Sequence, residues 1–311
     1  VTAPTTAPRQ VLSRGDRVFS RTAIASGSMI LVILAAVAVF LIVQSIPAFV
    51  ATSDTASVLT TNFWGYVGPL VFGTVWAAVL ALIIALPLSI GIALFISHYA
   101  PRKLSQLLGY LIDLLSAVPS VVYGLWGIMV LAPAVRPLYV WLNEHMGWIP
   151  LFGGTPSGTG RTILTAAIVL AVMILPVMTA ISREVFLQAP KLNEEAALAL
   201  GATRWEMIRL SVLPFAKPGI ISGAMLGLGR ALGETMAVAM VLSASGIVSF
   251  KLLTADNPST IAANIALTFP EAYGENVNVL IATGLILFIV TFLVNALARW
   301  IVSRQNARIG A

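Results

Sequence analysis

Six stretches of this chain stay apolar long enough for a helix to cross a bilayer, at 23–46, 69–99, 104–135, 162–182, 218–248 and 277–301. A helix rises about 1.5 Å per residue, so roughly 20 residues cover a hydrocarbon core of about 30 Å. Backbone groups have no water to bond there, and a helix satisfies them internally. The pattern therefore predicts an all-α, polytopic integral membrane protein with six transmembrane helices. The first run exceeds a signal-peptide core of about 7–15 residues and reads as a retained span. Residues 1–22, rich in Thr, Ala, Pro and scattered Arg, read as a mobile tail, and 302–311 as a second short tail.

Between the fourth and fifth runs lies a basic, polar loop, 183–217, with its own helix punctuation. Pro190 suits a first helical turn, where its missing N–H costs nothing. Gly201 suits a left-handed stop. Thr203-Arg204-Trp205-Glu206 reads as a capping box opening a second short helix, and Pro214 is expected to end it. Glu195-Ala196-Ala197 sits on the first of these helices. Two short helices joined at a glycine make a compact knob on which a soluble partner can dock.

Composition agrees with a membrane protein. The chain is 59% apolar and 10% charged, against roughly 45–50% and 25% in soluble domains. It has no cysteine, which excludes disulfides and thiolate metal sites. The net charge of +6 comes with no basic run interleaved with aromatics, so nucleic acid is not indicated. Placing the N-terminus in the cytoplasm puts 14 cations on the inner side: Arg9, Arg14, Arg17, Arg21, Arg102, Lys103, Arg183, Lys191, Arg204, Arg209, Lys217, Arg299, Arg304 and Arg308. Only Arg136, Arg161 and Lys251 fall outside, so both termini are expected in the cytoplasm. Trp64, Tyr66, Tyr139, Trp141 and Trp148 fit an outer aromatic belt. The outer loops 153–160 and 254–278 are rich in turn residues, the latter with room for a short surface helix near 258–268, and can receive an external protein or simply connect spans.

Within the spans, Gly219, Gly223 and Gly227 recur at four-residue spacing, with Gly229 and Gly233 on another face, a pattern that permits close helix approach in lipid. Pro87, Pro119 and Pro176 are expected to kink their helices. Asp113, Arg230 and Glu234 are charged at membrane depth, where each costs about 2.5–3.5 kcal/mol unless it meets a partner or water. Such residues mark a translocation path, though a self-satisfied structural pair is the competing reading. Arg230 and Glu234, four apart, are expected on one face of one helix within ion-pair reach. Ser116, Ser120, Tyr123, Thr235, Ser243 and Asn295 can line a polar route or bond between helices. His98 and His145 lie on opposite faces and offer no metal pair, and no phosphate-binding G-x-x-x-x-G-K-[ST] run exists. No catalytic constellation emerges, so the chain is expected not to be an enzyme.

Glu195-Ala196-Ala197, then Gly201 after three residues, then Leu213-Pro214 resembles the signature of binding-protein-dependent ABC importer permeases. Ser211 departs from it, standing where the family carries an apolar residue. Gly227-Leu-Gly-Arg-Ala-Leu-Gly-Glu-Thr-Met-Ala237 and Pro119-Ser-Val-Val-Tyr-Gly124 are similar to the phosphate-specific branch, C-type subunit. The resemblance covers nearly everything past residue 20. It implies the type I importer permease fold in a bacterial cytoplasmic membrane, pairing with a related A-type permease. It further implies two copies of a cytoplasmic ATPase docked through Glu195, Ala196, Ala197 and Gly201. That partner would bind ATP and Mg, with no cofactor in this chain, and an external phosphate-binding protein would deliver inorganic phosphate. Sulfate or molybdate permeases, a secondary transporter, and an assembly factor without transport are the alternatives. The secondary transporter lacks support, since no inverted repeat is visible.

Overall fold

The computed structural model describes residues 14–59 and 62–309, with side chains through Trp300. Twelve α-helices are described: α1 (Arg14–Ser45), α2 (Phe63–Leu94), α3 (Arg102–Ser116), α4 (Ser120–Trp126), α5 (Ala132–Met146), α6 (Ile163–Leu187), α7 (Lys191–Ala199), α8 (Arg204–Met207), α9 (Leu213–Leu232), α10 (Met236–Val241), α11 (Ile261–Thr268) and α12 (Glu275–Ile309). Three π-helical turns, Phe95–Tyr99, Gly127–Leu131 and Ile208–Val212, join on to them. No sheet forms among the described residues, only three isolated bridges. Six helical segments are long and apolar enough to cross a membrane: Gly15–Phe49, Phe63–Tyr99, Ser120–Met146, Ile163–Leu187, Arg204–Leu232 and Glu275–Trp300. The tail expected over 1–22 falls partly outside the described residues, and from Arg14 onward it is already helix. At the other end α12 continues through most of the expected short tail, to Ile309.

The core is built on α2, α6 and α9. On α2 the small residues Ala77, Ala78, Ala81 and Ala85 are each at most 1% exposed, forming a stripe that brings α6 close. On α9 the glycines face α6: a β-carbon at Gly219 would strike Val185, one at Gly223 would press Ile181, and one at Gly227 would meet Met178. The packing role expected of that stripe is thus seen in contact. Gly229 has open space where its side chain would be. α1 packs chiefly on α12, and most of its surface is open.

The side of the molecule holding α7 and α8 is the loop side; the start of α6 marks the far side. Using α6 as a ruler relocates the third crossing. Gly109 of α3 lies under the Arg183 guanidinium near the loop-side end of α6. Gly127 touches Val169, 14 residues or about 21 Å toward the far end. Gly160, just before α6, backs on to the Ala132 carbonyl. α3 and α4 therefore climb the bundle together, close to the expected 104–135, while α5 stays at the far end with the Tyr139 hydroxyl 2.7 Å from Thr165. The expected kink at Pro119 is a full break: Ala117 and Val118 leave the helix, and Pro119 caps α4. A residue before proline is pushed out of helical geometry, which supplies the cause.

Two further expectations change. The helix from Arg204 does not end at Pro214 but runs on to Leu232. The π turn at Ile208–Val212 widens the backbone just before the proline, which then occupies the second position of α9. The short helix near 258–268 exists as α11, capped by Thr260, yet its first turn is buried. Asn257 is the reason: fully buried, its amide donates to Ser243 and Thr254 carbonyls at 3.1 and 3.0 Å and its oxygen accepts from Ile163 N–H at 3.1 Å. The Thr74 hydroxyl then accepts from Ile261 N–H at 2.9 Å, stitching the far-side loop on to α2 and α6.

Candidate functional site

The fifth apolar run contains a break that its hydropathy hides. α9 stops at Leu232, and Gly233, Glu234 and Thr235 separate it from α10. Glycine is a poor helix former, and the Thr235 hydroxyl bonds back to the Gly233 carbonyl at 3.2 Å, which favours a turn. Arg230 and Glu234 therefore do not share a helical face, and the expected ion pair is not made. An ion pair within 4.0 Å joins His98 and Glu194 instead.

Each of the two charges is met by a helix end. Glu234 is 9% exposed, and its carboxylate accepts from the Ala237 N–H at 3.0 Å, at the positive end of α10. Arg230 is half-buried in the last turn of α9, at the negative end of that helix. Tyr123 on α4 adjoins Gly124, which backs on to Ala237 at the start of α10. Tyr123 in turn donates to the Leu115 carbonyl at 2.9 Å, spanning the break between α3 and α4.

Depth along α6 shows why these features meet. The contacts 219 to 185, 223 to 181 and 227 to 178 place Arg230 level with about residue 175, the middle of α6. The same ruler places the α3–α4 break level with about residue 176. Both broken crossings lie side by side: a β-carbon at Gly124 would sit 3.0 Å from the Ala237 Cα. Non-helical backbone at mid-membrane is tolerated only inside protein or against a water-filled cavity. Two adjoining breaks, with Arg230 in the last turn before the second of them, form a polar waist in an otherwise apolar bundle.

Asp113 lies on α3, one turn before the first break, and is exposed in this chain. No cation lies within 4.0 Å of it among the described side chains. A carboxylate at that depth cannot face lipid cheaply, so its surface must be met by another subunit or by water. Tyr123 and Thr235 were legible as polar candidates, but their roles at the two breaks were not.

The second candidate region is the loop at 183–217. α7 carries Glu195, Ala196 and Ala197, and none of its residues is buried. Gly201 stops it at φ +85°, with open space around it. The capping box forms as expected, Thr203 N–H donating to Glu206 at 2.7 Å and Glu206 N–H to the Thr203 hydroxyl at 3.3 Å. Those bonds hold the Glu206 carboxyl below its usual range. The departure at Ser211 has a use, since its hydroxyl donates to the Asn193 carbonyl at 3.3 Å and ties the π turn to α7. Leu200 is 90% exposed and Leu210 68%, so the knob presents apolar surface away from the bundle.

A family of transport components matches residues 85–307, a region that includes both the broken crossings and the exposed knob. The chain belongs to the binding-protein-dependent transport system inner membrane component family. Family membership makes it a multi-pass membrane protein and a transport subunit. It is 44% identical to the phosphate transport system permease protein PstC 2 of Mycobacterium tuberculosis, over 96% of this chain and 97% of that one. The PstC of Mesorhizobium japonicum is 41% identical, over 95% and 92% respectively. Among solved structures, a bacterial ABC transporter that imports alginate aligns with TM-score 0.62 at 16% identity, over 94% of this chain and 96% of that one. The inward-facing MetNI methionine transporter aligns with TM-score 0.56 at 16% identity, over 77% and 96%. These two likenesses establish the ABC importer permease fold.

Proposed function

We propose that this chain is one permease subunit of an ATP-driven importer of inorganic phosphate, forming half of the translocation pathway. The observation that carries the reading is the polar waist at mid-depth, with Arg230 level with two adjoining helix breaks, in a chain whose relatives are named phosphate permeases. A planar, permanently charged guanidinium matches the oxygens of a phosphate anion. Arg230 meets the passing anion, Glu234 organises the turn that presents it, and Asp113 lines the route where a second, related permease closes it. Glu195, Ala196, Ala197 and Gly201 form the contact through which a separate cytoplasmic ATPase, binding ATP and Mg, drives the crossings. An external phosphate-binding protein loads the far side, and the termini and loop 183–217 lie in the cytoplasm, as the cation distribution favours.

Reconstitution of the chain with its sister permease, ATPase and binding protein in proteoliposomes tests this. ATP-dependent uptake of labelled phosphate, undiminished by excess sulfate and molybdate, is expected. Uptake of sulfate or molybdate in preference to phosphate would reassign the substrate, and uptake without ATP would remove the importer reading.

A further inference from the structure

No residue of α7 is fully buried; Ala197 packs on the cluster that holds Ala93, Leu94 and Phe186, and most of the remaining contacts are to α8 and the neighbouring π turn of its own loop. An element that moves with a partner needs a second attachment if it is to move anything else. The structure provides one outside the loop. The Glu194 carboxylate of α7 lies 3.8 Å from Nε2 of His98, on the π turn that ends α2. The cavity between them, about 220 Å³, is lined by Ser97, His98, Phe186, Lys191, Glu194 and Glu195, among others.

The imidazole is held in a definite orientation. The Ser97 hydroxyl lies 2.8 Å from the Ala93 carbonyl and 2.7 Å from His98 Nδ1, which fixes the ring on its Nδ1 side. With Nδ1 accepting from Ser97, the neutral ring carries its hydrogen on Nε2, facing the Glu194 carboxylate, so the contact is attractive. The ring edge rests on Phe186, itself fully buried with Ala93 and Leu94 in the cluster where α2 meets α6. His98 is thus anchored in the bundle, and Glu194 is anchored in the knob.

We infer that His98 and Glu194 form the tether through which displacement of α7 is passed to the end of α2, and through α2 to α6. Both are positioning residues rather than members of the anion route. The π turn at Phe95–Tyr99 suits the task, because such turns bend more readily than a regular helix. The inference rests on the importer reading given above, since it concerns transmission from the ATPase.

The test is a coupling ratio, phosphate moved per ATP hydrolysed, measured in proteoliposomes holding the complete complex. His98→Ala and Glu194→Ala are each expected to lower the ratio by about 3- to 10-fold while hydrolysis continues, as for other directly interacting pairs. The double variant should be no worse than either single one. His98→Gln, which keeps an N–H donor directed at Glu194, should stay close to the parent. An unchanged ratio in His98→Ala, a double variant equal to the product of the singles, or His98→Gln as poor as His98→Ala would each overturn the tether. So would loss of complex assembly in all four variants alike, which would make the pair a folding contact. A parent complex that moves no phosphate with ATP would instead bring down the importer reading and this inference with it.

Discussion

Replacing Arg230 by Gln tests the pathway most directly. The residue sits level with about residue 175 of α6, midway along a helix some 37 Å long, so an anion reaching it would be far from either surface. A hydrogen bond between charged groups contributes about 1.5–3 kcal/mol net in proteins. Each 1.4 kcal/mol is about tenfold in an equilibrium constant. Losing the charge should therefore slow uptake by roughly 10- to 100-fold if the anion meets Arg230 at the barrier. Arg230→Lys keeps the charge but not the two-pronged donor geometry, and should fall between. Glutamine preserves much of the stem of this half-buried residue, so assembly and ATP hydrolysis should survive. The assay is labelled-phosphate uptake at fixed ATP, with hydrolysis measured in the same vesicles. Uptake by Arg230→Gln at the parent rate would refute the reasoning. A lowered melting temperature with unimpaired uptake would show the residue to be a structural lock.

Glu234→Gln keeps an acceptor for the Ala237 N–H but loses the charge at the start of α10, so uptake should fall less than in Arg230→Gln, by about 2- to 5-fold for the 0.3–1 kcal/mol of a charge–helix-end interaction. Gly201→Val forces a β-branched residue to φ +85°, and ATP-driven uptake should drop while the external binding protein still associates; full uptake would remove this loop as the lever. Gly219→Ala meets Val185, whose branched side chain yields little, and should lower the melting temperature of the purified chain, costing about 1–3 kcal/mol. Gly229→Ala, with open space around it, should leave that temperature unchanged or raise it. For orientation, a cysteine at Gly158 should react with an impermeant thiol reagent in intact cells and one at Leu200 should not; the reverse pattern would invert the topology.

What the sequence determined by itself was local in origin. Six apolar runs matched to bilayer thickness are a matter of length and hydropathy, and they hold. The stop at Gly201 and the box from Thr203 to Glu206 depend on groups three or four residues apart, so reading them needed no tertiary knowledge. The four-residue spacing of Gly219, Gly223 and Gly227 announced a packing face, although not that α6 would fill it. The tertiary structure decided where helices fail. The gap at Ala117 and Val118 is bridged by Tyr123, and α10 starts where Gly124 admits the Ala237 backbone; both rely on neighbours distant in sequence. Those breaks separated Arg230 from Glu234, which the spacing alone had joined on one face. Pro214 stayed inside its helix because a π turn precedes it, and the pairing of His98 with Glu194 spans 96 positions between two turns of chain. Apolar length sets the crossing; which backbone groups can be left unpaired within it depends on what the folded bundle supplies as substitutes.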